Sequence, residues 1–379
     1  MKNLDRPKFS QPGASELVAN EGAGGGKETS LPSSGAYRLP AEWEPHAATW
    51  IAWPHRRATF LGPFAEIPPV YQRLASLIAG YEPVRIIGSA EVLAAPRAAL
   101  ADLPQVSFVE ISTNDSWIRD TGPVFVVSRG RVGARSRRTV CWNWNAWGGK
   151  YPPWDADARV SRAIARQLGL EAVEPELVLE GGAIETDGEA TLLVNERCVV
   201  DERRNPGVDQ AGMDQALQHW LGVERVLWLG GELAGDDTDG HIDQLARFVA
   251  PGRVVAARQA DRDDPNHASL AANLEHLARF TDARGRRLEV IPIDIPARFG
   301  FEGTPLPASH LNFLVGNGFV VVPVFGGPTD EAALKTLEQC FPDRRIEPFD
   351  CQALVRGRGA IHCVTRDEPA APSGREKPC

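Results

Sequence analysis

Asp236-Asp237-Thr238-Asp239-Gly240-His241-Ile242-Asp243 gathers four carboxylates around one histidine within a single short stretch. If residues 239–245 are extended, the alternation of a strand puts Asp239, His241 and Asp243 on one face. Such crowding of acids is unfavourable unless a cation lies among them, either a metal ion or an organic group such as guanidinium. A solvated acidic loop with an incidental histidine is the plain alternative. The apolar Leu229 on one side and the run 245–249 on the other argue against it, because they carry the stretch into a core where unpaired carboxylates need a partner. Working outward, short apolar runs alternate with helical stretches. Strands are expected at 48–53, 84–87, 106–110, 124–127, 192–194, 225–229, 288–291, 313–315 and 319–324. Helices are expected at about 68–80, 90–101, 156–168, 208–221, 266–282 and 329–340, the last with Thr329 and Asp330 offering a cap. The alternation predicts an α/β architecture. No glycine fingerprint of a dinucleotide fold is present, and no sequence period is visible.

The chain has 379 residues, enough for one large domain or two modest ones. A net charge of −9 speaks against a nucleic-acid partner, whose binding surface would be basic. No window of eighteen apolar residues exists, so no membrane span is expected. The six cysteines, at 141, 198, 340, 351, 363 and 379, show no Cys-x-x-Cys spacing and do not suit a disulfide scaffold, so a reducing, cytoplasmic setting is expected. No apolar stretch follows the charged start, so a secretion signal is not expected. Residues 1–34 are rich in Gly, Ser and Pro and are expected to form a disordered tail. The run Gly22-Ala23-Gly24-Gly25-Gly26-Lys27 fails as a phosphate loop, since Glu28 follows the lysine and no strand precedes it. Residues 370–379 read as a second tail, leaving 35–369 as the catalytic domain.

Three further stretches could carry chemistry. In Asn114-Asp115-Ser116-Trp117-Ile118-Arg119-Asp120-Thr121-Gly122-Pro123, a carboxylate three residues after a tryptophan could bind a planar cation while the indole covers its face; an ordinary turn beside a core tryptophan is the alternative. In Leu179-Glu180-Gly181-Gly182-Ala183-Ile184, the glutamate could be a site acid or a polar turn residue. In Arg356-Gly357-Arg358-Gly359-Ala360-Ile361-His362-Cys363-Val364-Thr365, glycines let backbone approach a ligand and Cys363 follows a short apolar strand start. An isolated cysteine is usually a small buried hydrophobe. On a strand His362 would point away from Cys363, which makes His241 the better base.

Together these stretches resemble the agmatine deiminase and bacterial, Porphyromonas-type peptidylarginine deiminase family of the guanidine-modifying pentein superfamily. The likeness runs in order from about Leu39 to Pro369. It takes in Pro40-Ala41-Glu42-Trp43-Glu44-Pro45-His46, Trp50-Ile51-Ala52-Trp53-Pro54, the Trp117 and Glu180 segments, and Asn145-Ala146-Trp147-Gly148-Gly149-Lys150-Tyr151. Asp237-Thr238-Asp239-Gly240-His241-Ile242-Asp243, Ala308-Ser309-His310-Leu311-Asn312 and Ile361-His362-Cys363 complete it. The resemblance implies a single five-bladed α/β propeller with pseudo-fivefold symmetry and a site on its axis. It also implies that Asp120 and Asp243 grip a guanidinium through paired, charge-assisted hydrogen bonds. Cys363 would be the covalent nucleophile that expels ammonia. His241 would be the general acid and base, held in orientation by Glu180, and Trp117 would line the slot. The implied reaction is hydrolysis of a small guanidino compound, agmatine first, to N-carbamoylputrescine and ammonia, with no metal and no organic cofactor. A homo-oligomer is compatible with it.

The chain departs from the family's usual Gly-Gly-Gly-Asn-Ile-His-Cys run at Arg358 and Ala360. An Arg358 that faced the site would repel an ammonium by on the order of 1 kcal/mol at short range. It would favour another guanidine, such as one bearing a carboxylate, or peptidyl-arginine. Two other classes follow from the same residues. A metal ureohydrolase would use the Asp239, His241 and Asp243 face but needs a second ligand group, and none is evident. A binding module without catalysis would be expected to lack the Cys or the His.

Overall fold

Val124–Ser128 pairs antiparallel with Arg137–Val140, and the helix Asp157–Leu168 then carries the chain to Glu171–Val173, which joins in parallel. The same order recurs. Ile184–Thr186 pairs antiparallel with Thr191–Asn195, and the helix Gln210–Leu221 leads to the parallel Arg225–Leu229. Ala246–Ala250 and Arg253–Arg258 are followed by the helix His267–Arg279 and by Glu289–Asp294. Leu314–Gly316 and Phe319–Val324 are followed by the helix Asp330–Cys340 and by Arg345–Asp350. The fifth unit joins the two ends of the chain. Arg366–Pro369 pairs antiparallel with His46–Ala52, whose helix Ile67–Ala79 leads to the parallel Val84–Gly88. Ala90–Ala99 and Val106–Glu110 extend that sheet by one strand. Five strand–strand–helix–strand units, closed end to end, are the five blades of a pentein propeller. The computed structural model describes residues 35–130 and 136–372; the expected tail 1–34, most of the expected tail 370–379 and the glycine-rich run before Lys27 lie outside the described residues.

Local chemistry makes the blades. In Ile67–Ala79 the buried residues Ile67, Val70, Tyr71, Leu74, Ala75 and Ile78 follow helical spacing, and Pro68 and Pro69 sit in the first turn, where a missing N–H leaves nothing unpaired. The inner strands are buried on both faces: all five residues of Val124–Ser128 and of Thr191–Asn195 are buried, which is why they read as continuous apolar runs. One expected cap is not made. Thr329 occupies the N-cap position, but its side chain makes no capping hydrogen bond; its hydroxyl faces Nε2 of buried His310 at 3.0 Å, while Nδ1 of that ring donates to the carbonyl of Pro323.

The blades position the site. Each first strand is entered through a tight turn that carries a polar residue just ahead of it: Asp120 before Val124, Glu180 before Ile184, His241 and Asp243 before Ala246, Asn312 before Leu314, and Cys363 before Arg366. All six residues are buried.

Candidate active site

Cys363 opens onto a cavity of about 340 Å³ whose walls include Trp117, Asp120, Trp147, Tyr151, Asp237 and Arg358. That volume suits a small molecule. Asn312 fixes the nucleophile's loop: its Nδ2 donates to Sγ at 3.2 Å, and its Oδ1 accepts the N–H groups of Ala360 at 3.1 Å and Cys363 at 3.3 Å. The N–H of Arg119 donates to the Cys363 carbonyl at 3.2 Å, which ties this loop to the Asp120 turn. Gly359 permits the fold, since a Cβ there would lie 2.6 Å from the Trp117 ring and 3.1 Å from Sγ.

Behind the sulfur lie the acids and the imidazole. Asp120 accepts from the Gly182 N–H at 2.9 Å and from Trp147 Nε1 at 3.0 Å. Asp243 Oδ2 accepts from His362 Nδ1 at 2.7 Å and stands 3.7 Å from Sγ. The Nδ1 of His241 is 3.8 Å from Asp120 and its Nε2 is 3.9 Å from Glu180, both beyond hydrogen-bond range. Gly182 sits where these groups meet: a Cβ there would lie 2.6 Å from His241 Nδ1, 3.0 Å from Asp120 Oδ1 and 3.1 Å from Asp243 Oδ2. Four buried polar atoms, both ring nitrogens of His241, Glu180 Oε2 and Asp243 Oδ1, have no hydrogen-bond partner. Buried polar atoms are nearly always satisfied, so a cluster of orphans marks a place built for something else.

The electrostatics agree. Burial pushes the Cys363 thiol well above its ordinary value, and the neighbouring charges of Asp243 and Asp120 push it further. Burial also raises Asp120, with Asp243 and Glu180 adding to the effect. For His241 burial alone would favour the neutral ring, but Asp120, Glu180 and Asp243 overcome it and raise its pKa to about 9. Asp243 is held below the carboxylate range against burial by the His362 hydrogen bond, and Glu180 likewise by Arg204, whose Nε donates to its Oε1 at 2.7 Å. A planar cation with several N–H donors would answer the orphaned carboxylate oxygen of Asp243 and stabilise a thiolate at Cys363.

Residues 38–369 match the family described as Porphyromonas-type peptidyl-arginine deiminase. The chain belongs to that family. Among relatives of this deiminase family, the agmatine deiminases of Stutzerimonas stutzeri and Pseudomonas aeruginosa are each 37% identical to it, and each alignment covers 90% of this chain and 98% of the relative. The solved agmatine deiminase of Enterococcus faecalis superposes with a TM-score of 0.84 at 32% identity, over 90% of this chain and 98% of that one.

Against the family's pattern, the structure brings Trp117, Asp120, Glu180, His241, Asp243 and Cys363 to one place from four different blades, and it corrects two local expectations. Residues 239–245 are not extended: Asp239 is left-handed at φ 66° and Ile242–Gln244 is a 3-10 turn. Asp239 therefore leaves the face of His241 and Asp243 and pairs with Lys150, Arg203 and Arg204 at 2.7–2.9 Å. The three-ligand face that a metal ureohydrolase would need is not formed. Cys363 lies in a turn and not at a strand start, since the strand begins only at Arg366. Glu180 faces His241 with Oε2 at 3.9 Å and is itself held by Arg204 at Oε1. His362 is no bystander: Nδ1 holds Asp243 and Nε2 faces Glu42 Oε2 at 2.7 Å. Asn312, Trp147, His362 and Glu42 all lie in stretches quoted for the resemblance without a role. The only signal for Asn312 was an amide immediately ahead of an apolar strand.

Proposed function

We propose that the protein is a hydrolase of C–N bonds in linear amidines that deiminates a small guanidino compound, agmatine foremost, through a covalent intermediate on Cys363. One observation carries this reading: a cysteine sulfur at the floor of a cavity, flanked by two carboxylates and an imidazole with orphaned polar atoms among them. The agmatine deiminases among its relatives support the choice of substrate. The five described cysteines, all unpaired, support a reducing, cytoplasmic setting, and among the described residues no helix is long and apolar enough to cross a membrane.

The chemistry follows from the charges. A guanidinium entering the floor places N–H donors against Asp120 and the free oxygen of Asp243. Its positive charge offsets the two carboxylates that hold the thiol up, so the thiol loses its proton to solvent and the thiolate forms on binding. Sγ then adds to the central carbon to give a neutral tetrahedral adduct. His241, protonated in the free enzyme, gives its proton to one NH2 group; the C–N bond breaks, and ammonia leaves a thiouronium cation. The now neutral imidazole takes a proton from water as the oxygen adds to the same carbon. Collapse expels the Cys363 thiolate, and the ureido product sheds its remaining proton to solvent. Ammonia release from agmatine by the purified protein, beside its Cys363→Ala variant, tests the reading. Equal release by the two proteins would refute it.

A further inference from the structure

The floor of the cavity accounts for a guanidinium, and the wall above it carries a second arrangement of charge. Three arginines, Arg56, Arg356 and Arg358, line it with two carboxylates besides Asp120, namely Asp115 and Asp237. Most of these are committed. Arg356 is ion-paired to Glu66 and lies over the Phe301 ring at 4.9 Å. Asp115 accepts from Thr59 at 2.6 Å and from the Ser116 N–H at 2.8 Å. Asp237 accepts from the Tyr151 hydroxyl and faces Arg358, whose Nε stands 3.6 Å from its Oδ2. That ion pair is long and single, unlike the short paired contacts that make an arginine–carboxylate pair strong. Arg358 reaches it from a left-handed backbone, φ 71°, which a residue with a side chain adopts only under strain. A hydrogen bond from its Nη1 to the Gly235 carbonyl at 2.9 Å holds it there.

We propose that Arg358 is a specificity-determining residue, an internal cation that occupies, at Asp237, the place the distal ammonium of a guanidino substrate would take. The inference rests on the guanidine-hydrolase reading above and extends it to the tail of the substrate. A substrate ending in an ammonium has to displace Arg358 from Asp237 before it gains that carboxylate. An uncharged tail has nothing to displace. A carboxylate tail meets Arg358 itself. Displacement weakens ground state and transition state alike, so the effect falls on KM and not on kcat.

Three guanidines with a common four-carbon chain length test this: agmatine, n-butylguanidine and 4-guanidinobutanoate. Each is assayed for ammonia release with the wild-type protein, Arg358→Gly, Arg358→Met, Asp237→Asn and the Arg358→Gly/Asp237→Asn double variant. Glycine suits the left-handed backbone, and methionine keeps the length without the charge. In both Arg358 variants the ratio of kcat/KM for agmatine to that for butylguanidine should rise about tenfold through KM, the scale of one charge at close range. The ratio for 4-guanidinobutanoate to butylguanidine should fall. Against the Asp237→Asn background the agmatine gain should vanish. A ratio that stays within about twofold in both Arg358 variants, or a gain that persists without Asp237, overturns the proposal while leaving the hydrolase reading intact. Turnover of none of the three by the wild-type protein overturns both.

Discussion

Asp243 stands between two regions of buried charge that differ in one respect. On the cavity side lie Asp120, Glu180, His241 and Cys363, where ring nitrogens and carboxylate oxygens go without partners. On the other side lie Glu42, Glu185, Arg247 and His362, and there nearly every atom is matched. Arg247, with its side chain 1% exposed, donates to Glu185 at 2.6 Å, to Glu42 at 2.9 Å and to the Phe313 carbonyl at 2.8 Å, and lies over the Phe313 ring. Glu42 also accepts the Val315 N–H at 2.7 Å, and Glu185 that of Phe248 at 3.1 Å. Arg119 Nη2, 3.6 Å from Glu42, is the loosest contact in this group. The same residue types therefore serve opposite ends: the satisfied cluster holds the hub of the propeller together, and the unsatisfied one leaves interactions to be made with a substrate.

The contrast can be broken at several points. Cys363→Ala should abolish ammonia release, by roughly a thousandfold or more, while urea denaturation moves by less than about 1 kcal/mol. A large loss of stability would mean that the cavity side is structural after all. Arg247→Met should do the reverse, costing about 3–5 kcal/mol in urea denaturation because it leaves Glu42 and Glu185 buried without their cation. His362→Gln lies on the boundary: Asp243 loses its anchor, so kcat/KM should fall roughly ten- to a hundredfold with KM raised, by analogy with lost supports of a bound ligand. An activity loss with KM unchanged would assign His362 to the structural side alone.

The smallest effect is on pH. The folded-state pKa of His241 is about 9, above its ordinary 6.5, so the contribution of its protonated ring to stability is fully present below pH 6.5 and is lost as the pH rises through 9. In the folded protein the ring itself loses its proton only around pH 9. An NMR titration of the His241 ring in the free protein should therefore have its midpoint near pH 9. A midpoint near 6.5 would mean that the three carboxylates do not reach His241.

Much of the frame was legible in the sequence. The helix around 68–80 and the strands 225–229 and 319–324 are found where apolar spacing put them, because their burial on one or both faces leaves a clear pattern. The fivefold repeat was not legible. The equivalent turns ahead of the first strands carry Asp120, Glu180, Asp243, Asn312 and Cys363, so the repeat survives as hydrogen-bonded topology and not as residue identity. Several first strands, such as Ile184–Thr186 and Leu314–Gly316, are three residues long, too short for alternation to declare itself. The charge cluster at Asp236–Asp243 marked the site, but its alternation misplaced Asp239, since a left-handed residue followed by Gly240 at φ 97° breaks the period where it was being read. Partners such as Asn312 and Glu42 are recognised by what they touch, which no local pattern encodes.

The closing strand has a consequence for how the protein comes into being. Arg366 pairs with Trp50 and Glu368 with Ala48, so the last described strand completes a sheet begun by nearly the first described one. Cys363 hangs from that late strand. On the ribosome every acid and the imidazole of the floor emerge before the sulfur does, and no partial chain can carry out the chemistry. Onset of activity is thus a report of ring closure, the longest-range strand pairing among the described residues and the slowest kind to form.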